Sequence, residues 1–273
     1  MKNKVLRIIK YLILVIGALV TLIPFFWMLS TSFKTLGEVY QMPPGLLPNN
    51  FNFDNYRVVI EKTPMSTYLF NSVLVTTIVT VGTLVTSILA AFAFSRVKFK
   101  GRDIIFTILL STMMVPSELL ITPNFVILSK LNLINTLTAL YLPWISSMFA
   151  IFLLRQYFLG IPEELYYAAK VDGCSDFKYL IKVMVPLTKP ALITIALLKI
   201  VYSWNEFLWP MIMVSTPDKR TLPVGLAYFM TEAGPNYHLL LAYASIIIVP
   251  VIFIYLLLQK YIIQGITRSG IKG

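Results

Sequence analysis

Hydrophobic and polar positions do not alternate along this 273-residue chain. They separate into long apolar runs joined by short charged segments. The first run, Tyr11 to Ser30, follows a stretch holding Lys2, Lys4, Arg7 and Lys10. At about 20 residues it is long enough to cross a bilayer as a helix. It is too long for a secretory signal peptide, and no small-x-small site follows it, so an uncleaved span is expected. A second run spans Tyr68 to Phe94, and a third spans Ile104 to Leu120, after the basic turn Arg96, Lys98, Lys100 and Arg102. Met114-Val115-Pro116 and Thr122-Pro123 interrupt the third run and predict a kink or an end there. A short connection over 123–136 leads to a fourth span, Leu137 to Leu154. The fifth, Ala191 to Val214, contains Lys199, Asn205 and Glu206. The sixth, Leu239 to Leu258, precedes a tail over 259–273. Residues 35–66 and 215–238 read as polar loops, the first of them folded.

Composition agrees with this pattern. A chain that is 58% hydrophobic and 13% charged, with mean hydropathy +0.78, falls outside the soluble globular class. Spans of this length are helical, because backbone polar groups in lipid must be satisfied within the segment. A closed barrel would show short alternating strands instead. The expected fold is therefore an all-α, polytopic membrane helical bundle of about six spans, read as one domain over 1–273.

The net charge of +11 does not point to nucleic acid, since the basic residues follow topology. Sixteen of the 23 Lys and Arg lie at the N-terminus, in 96–102, in the central loop (about 156–190) with Arg155 just before it, and in the tail; six lie on the other side and Lys199 within a span. The positive-inside rule then puts both termini and the central loop in the cytoplasm. The lone Cys174 excludes an internal disulfide, and one His (His238) with one Cys leaves no His/Cys metal cluster. No G-x-x-x-x-G-K-[ST] loop and no G-x-S-x-G elbow occurs, so the chain should neither bind ATP itself nor act as an enzyme.

The central loop is the longest charged stretch with helical order. Pro162 suits a first helical position, Glu163 and Glu164 favour the positive end of the helix dipole, and Lys170 favours its negative end. Gly173 supplies a left-handed stop. Leu165, Ala168 and Ala169 share a face with small residues for close approach. Ser175 caps a second helix carrying Phe177, Leu180, Ile181 and Met184, which Pro186 is expected to stop.

Ala168-Ala169, Gly173 and Val183-Met184-Val185-Pro186 resemble the EAA loop of ATP-binding-cassette importer permeases. Outside the loop, Thr31-Ser32-Phe33-Lys34, Asn55-Tyr56, Asn71-Ser72 and Phe152-Leu153-Leu154-Arg155-Gln156 are similar to the carbohydrate branch, maltose-type G-subunit. So are Trp204-Asn205-Glu206-Phe207, Gly265-Ile266-Thr267 and the last four residues, Gly270 to Gly273. The resemblance implies the type I importer permease fold in a bacterial inner membrane. It implies a second permease subunit, two ATPase subunits that use the ATP, and an extracytoplasmic sugar-binding protein facing the 216–238 loop. It also implies a coupling helix, here with Glu163, Glu164, Tyr167, Ala168, Ala169, Asp172, Gly173 and Pro186. The motif's Glu falls on Tyr167, which puts the charged contact in doubt.

Trp204, Asn205 and Glu206 are the candidate translocation-path residues, since a carboxylate within a span usually faces a cavity, a partner or an ion path. They equally suit bonds between helices. Lys199 either snorkels, pairs with Glu206 seven residues on, or reaches the interface. His238 reads as interfacial or structural. An ion-coupled transporter using Lys199 and Glu206, and an assembly subunit without a path, remain the other readings.

Overall fold

The computed structural model describes residues 2–231 and 234–269. The chain is helical almost throughout; its strands, β1 (Met230–Thr231) and β2 (Gly234–Pro235), pair for two residues each. It divides into two units, one from residues 1–65 with 223–250, the other from 66–222 with 251–273.

The first unit begins with α1 (Lys2–Ser32), whose apolar length is exposed until Ser30, Thr31 and Ser32 turn inward. The loop after it is folded, as expected, and holds α2 (Leu36–Tyr40) and α3 (Asp54–Lys62). Phe33 packs edge-on against Phe51 and Phe53, and Asn55 Nδ2 donates to the Ser32 and Lys34 carbonyls at 2.8 Å. Ser32 and Tyr56 share a hydrogen bond of 2.8 Å. The two motifs quoted from this region, 31–34 and 55–56, are thus two sides of one contact.

The second unit is built on α4 (Met65–Ser95). One side of it, running through Asn71, Ser72, Val75, Val79, Thr83, Ser87 and Ala91 at helical spacing, is buried. Downstream come α5 (Arg102–Ser111), α6 (Ile121–Lys130), α7 (Leu137–Tyr141) and α8 (Met148–Leu159). The central loop holds α9 (Glu163–Val171), α10 (Asp176–Tyr179) and α11 (Val185–Leu187). The fifth expected span is α12 (Lys189–Asn205) with α13 (Leu208–Met213). Last is α14 (Tyr237–Ser269), shared between the two units.

Lys4–Ser32, Met65–Ser95 and Tyr237–Leu257 are long and apolar enough to cross a membrane, and three bent helix pairs raise the number to six if each is one broken span. The pairs bend by 97° at Val115-Pro116, by 41° between Trp144 and Met148, and by 80° between Leu187 and Lys189. The break at Pro116 was expected, but Pro123 causes none. It sits in the first turn of α6, where its missing N–H has no partner to lose. Residues 121–130 are accordingly helix rather than connection.

Broken helices leave free backbone groups, and α4 supplies partners for them. Thr83 and Thr86 hydroxyls donate to the Trp144 and Ile145 carbonyls at 3.2 and 2.9 Å. Gly82 lets this part of α4 lie against Ile145, because a Cβ there would sit 2.9 Å from the Ile145 Cβ. Asn71 Nδ2 donates to the Asp218 and Arg220 carbonyls, both at 2.9 Å, and Ser72 Oγ accepts the Leu222 N–H at 2.7 Å. These bonds engage Asn71, Ser72, Thr83 and Thr86 of an otherwise apolar helix, whereas the buried hydroxyls of Thr76, Thr80 and Ser87 have no hydrogen-bond partner among the described residues.

Residues 259–269 of the tail continue α14. Gly270 to Gly273 lie outside the described residues. His238 opens α14, and its buried Nδ1 has no hydrogen-bond partner among the described residues.

Candidate functional site

The central loop is a helical hairpin fastened at several points. Pro162 lies one residue before the helix, in extended conformation, so Glu163 is the first helical residue. Gly173 adopts φ +71, as its position predicts. Gly173 N–H donates to the Lys170 carbonyl at 3.0 Å and Cys174 N–H to the Ala169 carbonyl at 2.8 Å, the paired bonds of a Schellman stop. Asp172 is the C-cap. Ser175 caps α10 by accepting the Lys178 N–H. Across the hairpin, Asp176 accepts from the Tyr166 hydroxyl at 2.8 Å and pairs with Lys170 at 2.7 Å. That contact raises the Lys170 pKa.

The second arm corrects one expectation. Pro186 does not end its helix. Residues 180–184 form a π turn, in which Val185 N–H reaches the Leu180 carbonyl, and the helix continues through Pro186 to Leu187. A widened turn removes the clash between the proline ring and the carbonyl four residues back, so the break moves to Thr188.

The faces of α9 also divide differently from the sequence reading. Tyr166 and Ala169 pack inward on Phe158, Tyr179, Leu180 and Met184. Ala168 faces outward with Glu163, Glu164, Leu165, Tyr167 and Val171. The outer surface is apolar: Leu165 is 44% exposed, Tyr167 51%, Val171 88% and Phe177, on α10, 65%. Glu164 has no ion-pair partner among the described residues, whereas Glu163 lies 3.8 Å from Arg96.

Arg96 was missed in the sequence, where it counted only as one charge of a basic turn. It is buried, and its Nη2 donates to the Phe158 carbonyl at 2.8 Å and to the Ile161 carbonyl. Local sequence carries no sign of this, because the partners lie over 60 residues away.

The second candidate group is not gathered round one space. Helix α12 ends at Asn205, so Glu206 stands in a break rather than inside a continuous span to Val214. Asn205 is exposed and donates to the Val201 carbonyl at 2.9 Å. Trp204 is buried and lines a cavity of about 210 Å³ with Thr76, Thr80 and Ile200. Glu206 lines a separate cavity of about 20 Å³ with Ser72, Trp144, Tyr202 and Thr221. That is room for about one water. Lys199 does not pair with Glu206; its ammonium lies 5.8 Å from the Tyr202 ring, and the helix end turns Glu206 towards Trp209 instead. The charge pair on which an ion-coupled reading depended is absent among the described residues.

Comparison with known proteins bears on the whole chain. A family model described as "Binding-protein-dependent transport system inner membrane component" matches residues 82–268. The arabinooligosaccharides transport system permease protein AraQ of Halalkalibacterium halodurans is 36% identical over 279 residues, covering all of both chains. The trehalose/maltose transport system permease protein MalG of Thermococcus litoralis is 34% identical, covering 98% of this chain and 99% of that one. Among solved structures, a chain of a bacterial ABC transporter involved in the import of the acidic polysaccharide alginate superposes with a TM-score of 0.85. Its identity is 28%, and the match covers 96% of this chain and 98% of that one. The chain therefore belongs to the family of binding-protein-dependent transport system inner membrane components: it is an integral inner-membrane transport permease, not an enzyme.

Proposed function

We propose that this chain is one permease half of an ATP-driven sugar importer, with the hairpin 162–188 as the element that couples it to separate ATPase subunits. The observation that carries the reading is the outer face of α9. A cytoplasmic loop that exposes Leu165, Tyr167, Val171 and Phe177 while its inner side is fixed by hydrogen bonds suits a rigid part inserted into another protein. The saccharide names of the relatives support a sugar as cargo.

In this reading the membrane path is shared with a second permease subunit, and two ATPase subunits consume the ATP. An extracytoplasmic sugar-binding protein delivers the substrate to the outer loops. Closure of the ATPase pair displaces the two coupling hairpins, and the attached spans rock between inward and outward openings. Trp204, Asn205 and Glu206 belong to the path side of this chain, with Trp204 and Glu206 contributing to different cavities along it.

The test is reconstitution of the assembled complex in proteoliposomes, with maltose and arabinooligosaccharides as first probes. Uptake is expected to need both ATP and the binding protein and to survive collapse of ion gradients. Uptake driven by an ion gradient without ATP would overturn the reading.

A further inference from the structure

We infer that Arg96 is a positioning residue: it fastens the inner end of α4 to the start of the coupling hairpin, so that movement of the hairpin is delivered to α4. This rests on the coupling reading above.

The chain itself joins the hairpin only to α8 before it and α12 after it. Helix α4, which carries the polar face described above, ends more than 60 residues earlier and has no covalent share in any displacement of α9. Arg96 supplies a polar, directional connection. Its side chain is 3% exposed, and its guanidinium donates to the carbonyls of Phe158 and Ile161, on either side of the turn that enters α9. The Phe158 carbonyl, near the end of α8, also accepts the Ile161 N–H at 3.2 Å, and the two N–H groups of Nη2 serve it and the Ile161 carbonyl at once. The Glu163 carboxylate, 3.8 Å away, adds a charged contact to the first residue of α9. A buried cation held in this way has little freedom to slide, because breaking either bond leaves a buried polar group unsatisfied.

Apolar packing acts beside this polar link, without its directionality. Arg155, on α8, makes a reciprocal link by donating from Nε to the Phe94 carbonyl at 3.0 Å. Ala91 and Phe92 pack with Ala150, Leu154 and Phe158. Those contacts hold α4 to α8 without Arg96. Ile161 belongs to the same cluster, with Tyr166 and Ala169 of α9 packed against it, so apolar packing reaches the hairpin too. What Arg96 adds is directional bonds to the Phe158 and Ile161 carbonyls and a charged contact with Glu163, which fix the direction in which α9 leaves the bundle. Its loss is therefore expected to spare assembly and to release the hairpin.

The experiment compares Arg96→Gln and Arg96→Lys in the assembled complex with its ATPase and binding protein, using the sugar found in the uptake assay above. Arg96→Gln should hydrolyse ATP yet move about tenfold less sugar per ATP, within the usual range for coupling between sites. Arg96→Lys keeps one charged donor and should fall between. Hydrogen exchange should quicken over 158–164 in Arg96→Gln. An unchanged ratio of sugar to ATP would overturn the inference, even with faster exchange, since Arg96 would then be a staple only. Should Arg96→Gln fail to assemble, the ratio in Arg96→Lys decides in the same way. Failure of the coupling reading looks different: Tyr167→Arg, on the outer face, would then leave ATPase binding intact whatever Arg96 does.

Discussion

Glu206 turns its carboxylate onto the chain that follows it, and Oε1 accepts the backbone N–H of Trp209 at 3.1 Å. The acid that stood out in the sequence as an intramembrane charge thus also satisfies one of the first free amides of α13. Two roles are separable by chemistry. Glu206→Gln keeps an acceptor and removes the charge, whereas Glu206→Ala removes both. Loss of such an acceptor at a helix start costs about 0.5–2 kcal/mol. The Ala variant should therefore lower the yield of assembled complex, while the Gln variant keeps yield and lowers uptake. Full uptake by the Gln variant would leave Glu206 with the backbone role alone.

Gly173 is the second test. Nothing lies within 4 Å of a Cβ added there, so a substitution meets no neighbour, and its cost comes from φ +71 alone. A left-handed residue with a side chain costs about 1–2 kcal/mol. Gly173→Val should reduce transport with membrane insertion unchanged, and Gly173→Asn should keep most of it, because Asn tolerates this conformation. Equal transport by wild type and the Val variant would remove support for the hairpin as coupling element.

The place of the family's carboxylate at Tyr167 leads to a third. Glu163 and Glu164 are both within one turn of Tyr167, but Glu163 is engaged by Arg96. Glu164 is left to meet basic groups on an ATPase. Glu164→Lys should weaken capture of the ATPase subunit in a pull-down, and Tyr167→Glu should be tolerated. Glu163→Lys acts otherwise, by bringing a second cation towards buried Arg96 and loosening the start of α9. Undiminished capture by Glu164→Lys would dismiss this account.

The outer loop offers a test by pH. Glu38 accepts the Thr35 and Asn49 backbone N–H groups, each at 2.7 Å, and its pKa is lowered chiefly by the Thr35 bond. A carboxyl whose folded pKa is depressed stabilises the loop above its unfolded value, about 4.3. That contribution is lost as pH falls through the lower folded value. Hydrogen exchange in residues 35–50, corrected for its intrinsic pH dependence, should be flat from neutral pH down to about 5. It should rise only in stronger acid, and Glu38→Gln should show the raised rate at neutral pH.

Much of this was legible without coordinates. The apolar runs and the placement of Lys and Arg depend on the bilayer, an environment the whole chain shares, so one sequence suffices to read them. The turn at Gly173 was equally open, because a left-handed stop is a local matter of Cβ sterics. Apart from the break at Pro116, tertiary structure decided the interruptions within the spans. Pro123 and Pro186 look like breakers, yet a first-turn position and a π turn absorb them, while Trp204-Asn205-Glu206 carries no Gly or Pro and breaks. The carbonyls freed beside Trp144 find their donors on α4, about 60 residues away in the chain. Arg96 in the same way finds Phe158 and Ile161. In an apolar solvent a backbone can open only where another helix completes its hydrogen bonds, and local periodicity holds no record of which helix that is.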